Sequence, residues 1–406
     1  MNEPLTAQGT PTMTMPAAQR PRISHGGQAL LKWLDEMRES QPVWRDGFGI
    51  FHVFRHADVQ RVMADYATFS SDINRLRPGG DPFSAGSLML TDPPEHRKLR
   101  RLISQAFSPK MSADMKPRIA ELTEELLDDI EEDEFDLVEK FAHPLPIMVI
   151  AELLGIPIHD RGLFRTWADR LIALHVDDPT DVEIGRMVGE AMREMGEYVQ
   201  THVRKRRADP QDDLVSKLIA AEVDGERLTD AEIVNTSCLL LLAGQITSTM
   251  ALGNTFLCFR DAPDAERAVR ADFSLLGPAF EEVLRLRPPL TQAARLTTTD
   301  VEVAGTLIPA GSLVINWLLS ANYDERQFPN PYRFDLTRSP NRHFAFGHGI
   351  HHCLGAPLAR VEGRVALELL LRRFSEITID PDAELSYYED PMFGVKSLPV
   401  RVRRAA

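Results

Sequence analysis

From Ile233 to Phe259 the chain carries no charged side chain, and that stretch restricts the possible folds more than any other feature. Just before it, Thr229-Asp230-Ala231-Glu232 has the form of a capping box, in which a hydroxyl and a carboxylate satisfy free N–H groups at a helix start. At about 1.5 Å per residue, a helix of roughly 30 residues crosses a whole domain, or a bilayer. Asn235, Thr236, Ser237, Gln245, Thr247, Ser248, Thr249, Asn254 and Thr255 are spread through its middle. Lipid would leave many of these polar groups without partners, so the segment reads as a buried helix at the centre of a large protein.

Such a helix needs other helices around it, and the rest of the chain offers them. Gln28 to Glu39, Ala57 to Tyr66, Pro93 to Phe107, Ser112 to Glu132, Val138 to Leu154, segments between Arg161 and Arg207, and Leu276 to Arg287 all have helical periodicity. Pro288-Pro289 stops the last of these. Asp46-Gly47 between apolar runs signals a hairpin. Near Val301 and Val303, ahead of Pro309-Ala310-Gly311, the period changes to two, so a small sheet is expected there. A final helix follows Gly355, with Leu358, Val361, Val365 and Leu369 on one face. The acidic run Asp128 to Glu134 reads as a solvated helix end, and Arg75 to Gly86 as a long loop. The fold class is therefore mainly α with small β-sheets. Residues 1–22 read as a loose arm without the features of a signal peptide, and residues 23–406 as one domain.

A net charge of -14 argues against nucleic acid or an anionic membrane surface as partner. Cys238, Cys258 and Cys353 are too few and too scattered for a disulfide framework, which suits a reducing cytoplasm.

Chemistry concentrates in Phe346-Gly347-His348-Gly349-Ile350-His351-His352-Cys353-Leu354-Gly355. Its glycines let the backbone turn tightly and approach a ligand. Cys353 stands just before a helix, whose free N–H groups and positive end favour a thiolate. On these residues alone, Cys353 is a metal ligand or a small core hydrophobe. With His348, His351 and His352 beside it a zinc site is conceivable too, although no second ligand pair at finger-like spacing follows.

The segment resembles the haem-binding signature of the cytochrome P450 superfamily, Phe-Gly-x-Gly-x-His-x-Cys-x-Gly, with every fixed position filled, and the resemblance extends over nearly the whole chain. It implies the P450 fold, an α-rich domain with a minor β region, and a haem b with Cys353 as axial iron ligand. Phe346 would pack by the haem, and His96, Arg100, Arg295 and His351 would receive its propionates. Glu282-Val283-Leu284-Arg285 matches the family's Glu-x-x-Arg, and Pro331-Tyr332-Arg333-Phe334 the element supplying a partner arginine, Arg333. Together these would form a buried network under the haem loop.

Ala243-Gly244-Gln245-Ile246-Thr247-Ser248 would face the oxygen site, with Gly244 allowing close approach, a local widening of the helix, and Thr247 helping to deliver protons. The family's residue before that threonine is usually acidic. Here Ile246 cannot relay a proton, which leaves water, Gln245 or a substrate group to do so. The implied activity is insertion of one oxygen atom from O2 into a largely hydrophobic small molecule, a natural-product tailoring hydroxylation or epoxidation. Electrons would come from an external NAD(P)H-dependent chain, a ferredoxin and a ferredoxin reductase, because no Gly-rich dinucleotide fingerprint or fused reductase is present. Arg97 and Arg101 would attract an acidic donor. Alternatives are a peroxide-driven or oxidative-coupling enzyme, prompted by Ile246, and a non-catalytic haem-based ligand-binding protein. By the same resemblance the substrate pocket would involve Leu88, Leu90, Leu171 to Val176, Ala243, Leu290, Thr291 and the Met392-Phe393 turn.

Overall fold

The computed structural model describes residues 20–23, 26–73, 87–172 and 182–405. Residues 1–19 of the expected arm, the whole Arg75 to Gly86 stretch, and 173–176 of the expected pocket segment lie outside them.

The uncharged stretch is one helix, Asp230–Asp261, and it opens with the expected capping box. The Thr229 N–H donates to Glu232 Oε2 at 2.6 Å, and the Glu232 N–H donates to Thr229 Oγ1 at 3.2 Å. Among the described residues it is the one helix long and apolar enough to cross a membrane. Here it is wrapped by protein instead. Helices Pro144–Leu154, Val182–Ala208, Leu276–Leu286 and Ala356–Arg373 pack against it. Its buried hydroxyls bond back to the preceding turn, Ser237 to the Ile233 carbonyl and Thr255 to that of Ala251, both within 2.9 Å. Asn254 instead donates across to the Phe393 and Arg287 carbonyls. That accounting lets a polar-studded helix sit in a core.

Two helix expectations change where proline intervenes, and a third where a strand forms. Ser112 to Glu132 divides into Pro109–Asp114 and Lys116–Asp128, because Pro117 has no N–H to continue the first helix and suits the first turn of the second. Val138 to Leu154 becomes a π turn, Val138–Ala142, and a helix Pro144–Leu154 that starts afresh at Pro144. The acidic run is only in part a helix end, since Glu134–Asp136 is an edge strand paired with Pro399–Arg404.

The period-two segment is a hairpin of Val301–Val303 with Thr306–Ile308. The larger sheet lies beside it and has five strands in the order Val43–Arg45, Phe51–Val53, Leu313–Trp317, Gln292–Thr297, Phe69–Ser70. The Asp46-Gly47 turn joins its first two strands, which pair antiparallel.

Glu282 and Arg285, on the helix Leu276–Leu286, form a fully buried ion pair. Arg285 donates to both Glu282 oxygens, at 2.7 and 2.9 Å, and to the carbonyls of Asn322, Pro331 and Arg333. Glu282 in turn accepts from Arg338 Nε, Asn341 Nδ2 and the Asp335 N–H. The partner arginine is thus Arg338 and not Arg333, whose side chain is exposed and whose carbonyl alone joins the network. Five residues beyond the expected position, the chain has turned inward.

Removing one member of a buried, hydrogen-bonded pair leaves the other charge uncompensated. Arg285→Ala is expected to lower the unfolding free energy by about 3–5 kcal/mol, measured by urea denaturation followed by circular dichroism. A loss near the roughly 1 kcal/mol of an exposed pair would show that the network does not carry the load assigned to it.

Candidate active site at the cysteine loop

The loop before Cys353 is closed on itself. The Cys353 N–H donates to the Phe346 carbonyl at 2.8 Å, and Gly347 N–H to that of Phe344, also at 2.8 Å. Gly347 and Gly349 have φ of 69° and 72°, a region that favours glycine. At Gly349 a Cβ would lie 2.7 Å from the Met63 carbonyl oxygen, so no side chain fits. Gly355 has an ordinary φ of -77° and caps the helix Ala356–Arg373; a Cβ there would stand 3.9 Å from Cys353 Sγ. Arg360, held by Glu281 at 2.6 Å, lies 4.4 Å from the Phe346 ring centre and fixes the outer side of the loop.

Cys353 is exposed, but to an interior cavity of about 510 Å³ that extends from this loop to the central helix. Burial within the protein pushes its thiol pKa up. The backbone N–H groups of Gly355 and Ala356 and the charges of Arg100 and Arg360 pull the other way. Cys238 and Cys258 are buried thiols pushed up to about 12 and about 11. Of the three cysteines, only Cys353 faces this cavity.

At one edge of the cavity are Arg100, Arg295 and His351, with His96 beside His351. The His96 and His351 rings are 4.3 Å apart, centre to centre, and the Nε2 of each is buried without a partner among the described residues. Burial lowers both imidazole pKa values, that of His351 to about 4, aided by His96 and Arg295. Arg100 Nη2 donates to the His352 carbonyl at 2.8 Å, and Arg295 Nη1 to that of Ala294 at 2.7 Å. Burial lowers the pKa of both guanidiniums as well. Four nitrogen-bearing side chains with unused donors converge here, and an anion would satisfy them.

On the opposite wall Ala243, Gly244, Thr247 and Ser248 face the cavity, while Gln245 and Ile246 do not. Gln245 is buried on the far side of the helix, its Nε2 3.3 Å from His143 Nε2. Gln245 is therefore not placed to carry a proton to this cavity. The expected widening at Gly244 is absent, the helix being continuous from Asp230 to Asp261. A Cβ at Gly244 would lie 3.4 Å from Ile150 Cδ1, so the close approach it permits is to the helix Pro144–Leu154. Thr247 Oγ1 donates to the Ala243 carbonyl at 2.7 Å, the back-bond of a helical threonine, which leaves its lone pairs toward the cavity.

Leu88, Leu90 and Leu290 line the same cavity, as does Ala243. Phe393 does not. Its N–H bonds the Pro289 carbonyl at 2.9 Å, and its ring packs where a Cβ on Gly27 would meet it at 2.9 Å, beneath Arg287. It lines a separate cavity of about 370 Å³. Alternation along the turn explains the correction, since neighbouring Met392 bridges to Leu290 while Phe393 points the other way. Thr291 is fully buried, its hydroxyl on the Pro391 carbonyl. Sequence reasoning passed over Gln292, whose Nε2 is buried, unpartnered among the described residues, and part of an otherwise apolar wall. It also passed over Glu362, although that residue sits four after Leu358 on the face read as buried.

The sequence matches the family described as Cytochrome P450 over residues 163–404. It is 47% identical over 375 residues to the erythromycin C-12 hydroxylase of Saccharopolyspora erythraea, covering 92% of this chain and 94% of that one. It is 42% identical to the cyclomarin C epoxidase CymV of Salinispora arenicola, covering 93% and 97%. Among solved structures, ligand-free cytochrome P450 TbtJ1 superposes with a TM-score of 0.88 at 53% identity, covering 95% of this chain and all of that one. The chain belongs to the cytochrome P450 family and has its fold; it is a monooxygenase of that haem-dependent, redox-partner-driven class.

The loop geometry is directly testable. Gly349→Ala forces a side chain into a positive-φ position against the Met63 carbonyl, at a cost of about 1–3 kcal/mol. A lower melting temperature by calorimetry and a smaller haem content per protein are expected. Unchanged values would show that the loop has room to relax.

Proposed function

We propose that the chain is a haem-thiolate monooxygenase that tailors a largely hydrophobic natural product by hydroxylation or epoxidation. In this reading Cys353 is the axial ligand of haem b, Phe346 packs beside the haem, and His96, Arg100, Arg295 and His351 receive the two propionates. One observation carries it: two buried imidazole nitrogens without partners among the described residues, flanked by two guanidiniums, at the edge of a cavity that Cys353 faces. Unsatisfied buried donors are costly, and a pair of carboxylates of the kind haem carries fits them. Haem bound there would supply the activation of dioxygen.

The chain's own residues set what happens around it. The Cys353 thiolate would be stabilised by the Gly355 and Ala356 N–H groups, which already act on its sulfur. Thr247, beside Gly244, presents a hydroxyl that both accepts and donates, so it can hand on a proton without carrying charge. Leu88, Leu90, Ala243 and Leu290 would exclude water from the reacting face of the substrate. Gln292 adds an orienting N–H in that apolar wall, which suits a substrate with one ether, hydroxyl or carbonyl oxygen opposite it. The names of the relatives, an erythromycin C-12 hydroxylase and a cyclomarin C epoxidase, support a substrate of that kind.

Electrons would arrive from NAD(P)H through a ferredoxin reductase and a ferredoxin, Arg97 steering the acidic donor, since Arg101 is already paired with Asp224 at 2.8 Å. The enzyme would work in the cytoplasm, as a single domain spanning 23–406. Ile246 favours a second reading, turnover with peroxide; product formed from peroxide with no redox partner would establish it.

The ferrous carbonyl spectrum tests the ligand. The wild-type protein should give the red-shifted Soret band of a thiolate complex, and Cys353→Ser should lose it. A Cys353→Ser protein that kept the band would overturn the assignment.

A further inference from the structure

The second cavity, of about 370 Å³, lies between the first helix, Gln28–Ser40, and the far ends of the central helix and of Leu276–Leu286. Among the described residues it shares no wall with the cavity that Cys353 faces. Its volume falls in the range of small-ligand pockets, roughly 300–1,000 Å³. Leu31, Leu286, Tyr323, Phe334 and Phe393 give it an apolar and largely aromatic body.

Most polar groups around it are committed. Tyr323 donates its hydroxyl to the Leu286 carbonyl at 3.0 Å, and Tyr332 donates to Asp35, which also pairs with Arg38. Asp261 is shared between Arg260 Nε at 3.0 Å and Arg287 Nη2 at 3.3 Å. Both carboxylates at this cavity are thus already neutralised. Arg287 is the exception. Its side chain is 14% exposed, and its Nη1 is buried without a partner among the described residues. The residue is firmly placed. Its N–H donates to the Val283 carbonyl at 2.7 Å, its carbonyl accepts from Asn254 Nδ2 at 3.0 Å, and its guanidinium lies 5.1 Å from the Phe393 ring centre. Lys32, exposed on the same wall, makes no ion pair among the described residues. A buried charged donor left unbonded is costly. One water would satisfy Nη1 but leave most of the volume empty, since each takes about 30 Å³. An anion with an apolar body meets both needs.

We propose that this cavity is a second ligand site, which takes a small aromatic carboxylate. Its carboxylate accepts from Arg287 Nη1 in a charge-assisted hydrogen bond, and Lys32 adds attraction from the solvent side. Its ring lies among Tyr323, Phe334 and Phe393, where edge and face contacts are both on offer. The site stands apart from the haem-thiolate reading, and no bond is made or broken in it.

The test titrates 3-phenylpropionate into the purified enzyme by isothermal calorimetry at neutral pH. 3-Phenylpropionamide, of the same shape but uncharged, is the control. The carboxylate should bind with a Kd below about 1 mM, and the amide at least about tenfold more weakly. Because the Cys353 cavity is apolar too, substitutions confined to the second cavity decide where the probe sits. Arg287→Gln should weaken binding at least about tenfold. It also breaks the pair with Asp261, so two changes on the first helix carry the same test without touching that pair. Leu31→Trp fills the cavity and should abolish binding, while Lys32→Glu should weaken it about two- to fivefold. Melting curves establish that each variant is folded. No saturation below ~10 mM, an amide that binds as tightly as the carboxylate, or an affinity unchanged in Leu31→Trp overturns the proposal.

Discussion

The buried pair Glu282–Arg285 is the interaction on which the rest of the site depends. Arg285 holds the carbonyls of Asn322, Pro331 and Arg333, while Glu282 gathers Asp335, Arg338 and Asn341. A segment with little regular structure is thereby fixed from a single helix. The same Asn322 donates to the Arg285 carbonyl and accepts the Phe344 N–H at 2.8 Å, and Phe344 opens the turn that ends at Cys353. The position of the thiol is therefore set by a charge pair that never touches it. Burying two charges is expensive in itself. Here every donor and acceptor is used, so the pair specifies one path for a loop that packing alone would leave free.

The second constraint is the charge-free central helix. It can be buried because its hydroxyls bond to its own preceding turn, and it can pack closely because Gly244 leaves space for Ile150. What the packing does not fill is the cavity between that helix and the cysteine loop. Its polar groups include His351, Arg100 and Arg295 at one edge, with the His96 ring against that of His351, Thr247 and Ser248 on one wall, Gln292, and Glu362. Each is an exception to an apolar lining, and among the described residues His96, His351, Gln292 and Glu362 each keep a buried polar atom without a partner.

Much of this was legible in the sequence, for physical reasons that differ from residue to residue. The central helix announced itself by the length of an uncharged run and a capping box, both local properties. The cysteine loop was legible because positive-φ glycines at Gly347 and Gly349 are hard to replace. Other features depended on long-range packing. The side on which Phe393 falls is decided by the pairing of Met392 with Leu290, a hundred residues earlier in the chain. Arg338 reaches Glu282 only because the chain turns after Arg333. Of the five-stranded sheet only the Asp46-Gly47 hairpin was legible, because the other strands are short and pair across long stretches of chain, Phe51–Val53 with Leu313–Trp317 and Phe69–Ser70 with Gln292–Thr297. Glu362 was hidden by its own identity, since a glutamate among leucines on a helix reads as the solvent face until burial is seen.

The central claim is that this cavity binds haem with Cys353 on the iron and the propionates on His96 and His351. A crystal structure of the haem-loaded protein tests it most directly. The prediction is a propionate oxygen within hydrogen-bond reach, about 2.7–3.2 Å, of each imidazole Nε2, with Cys353 Sγ bonded to iron. Propionates directed away from both imidazoles, or an iron held by any side chain other than Cys353, would contradict it.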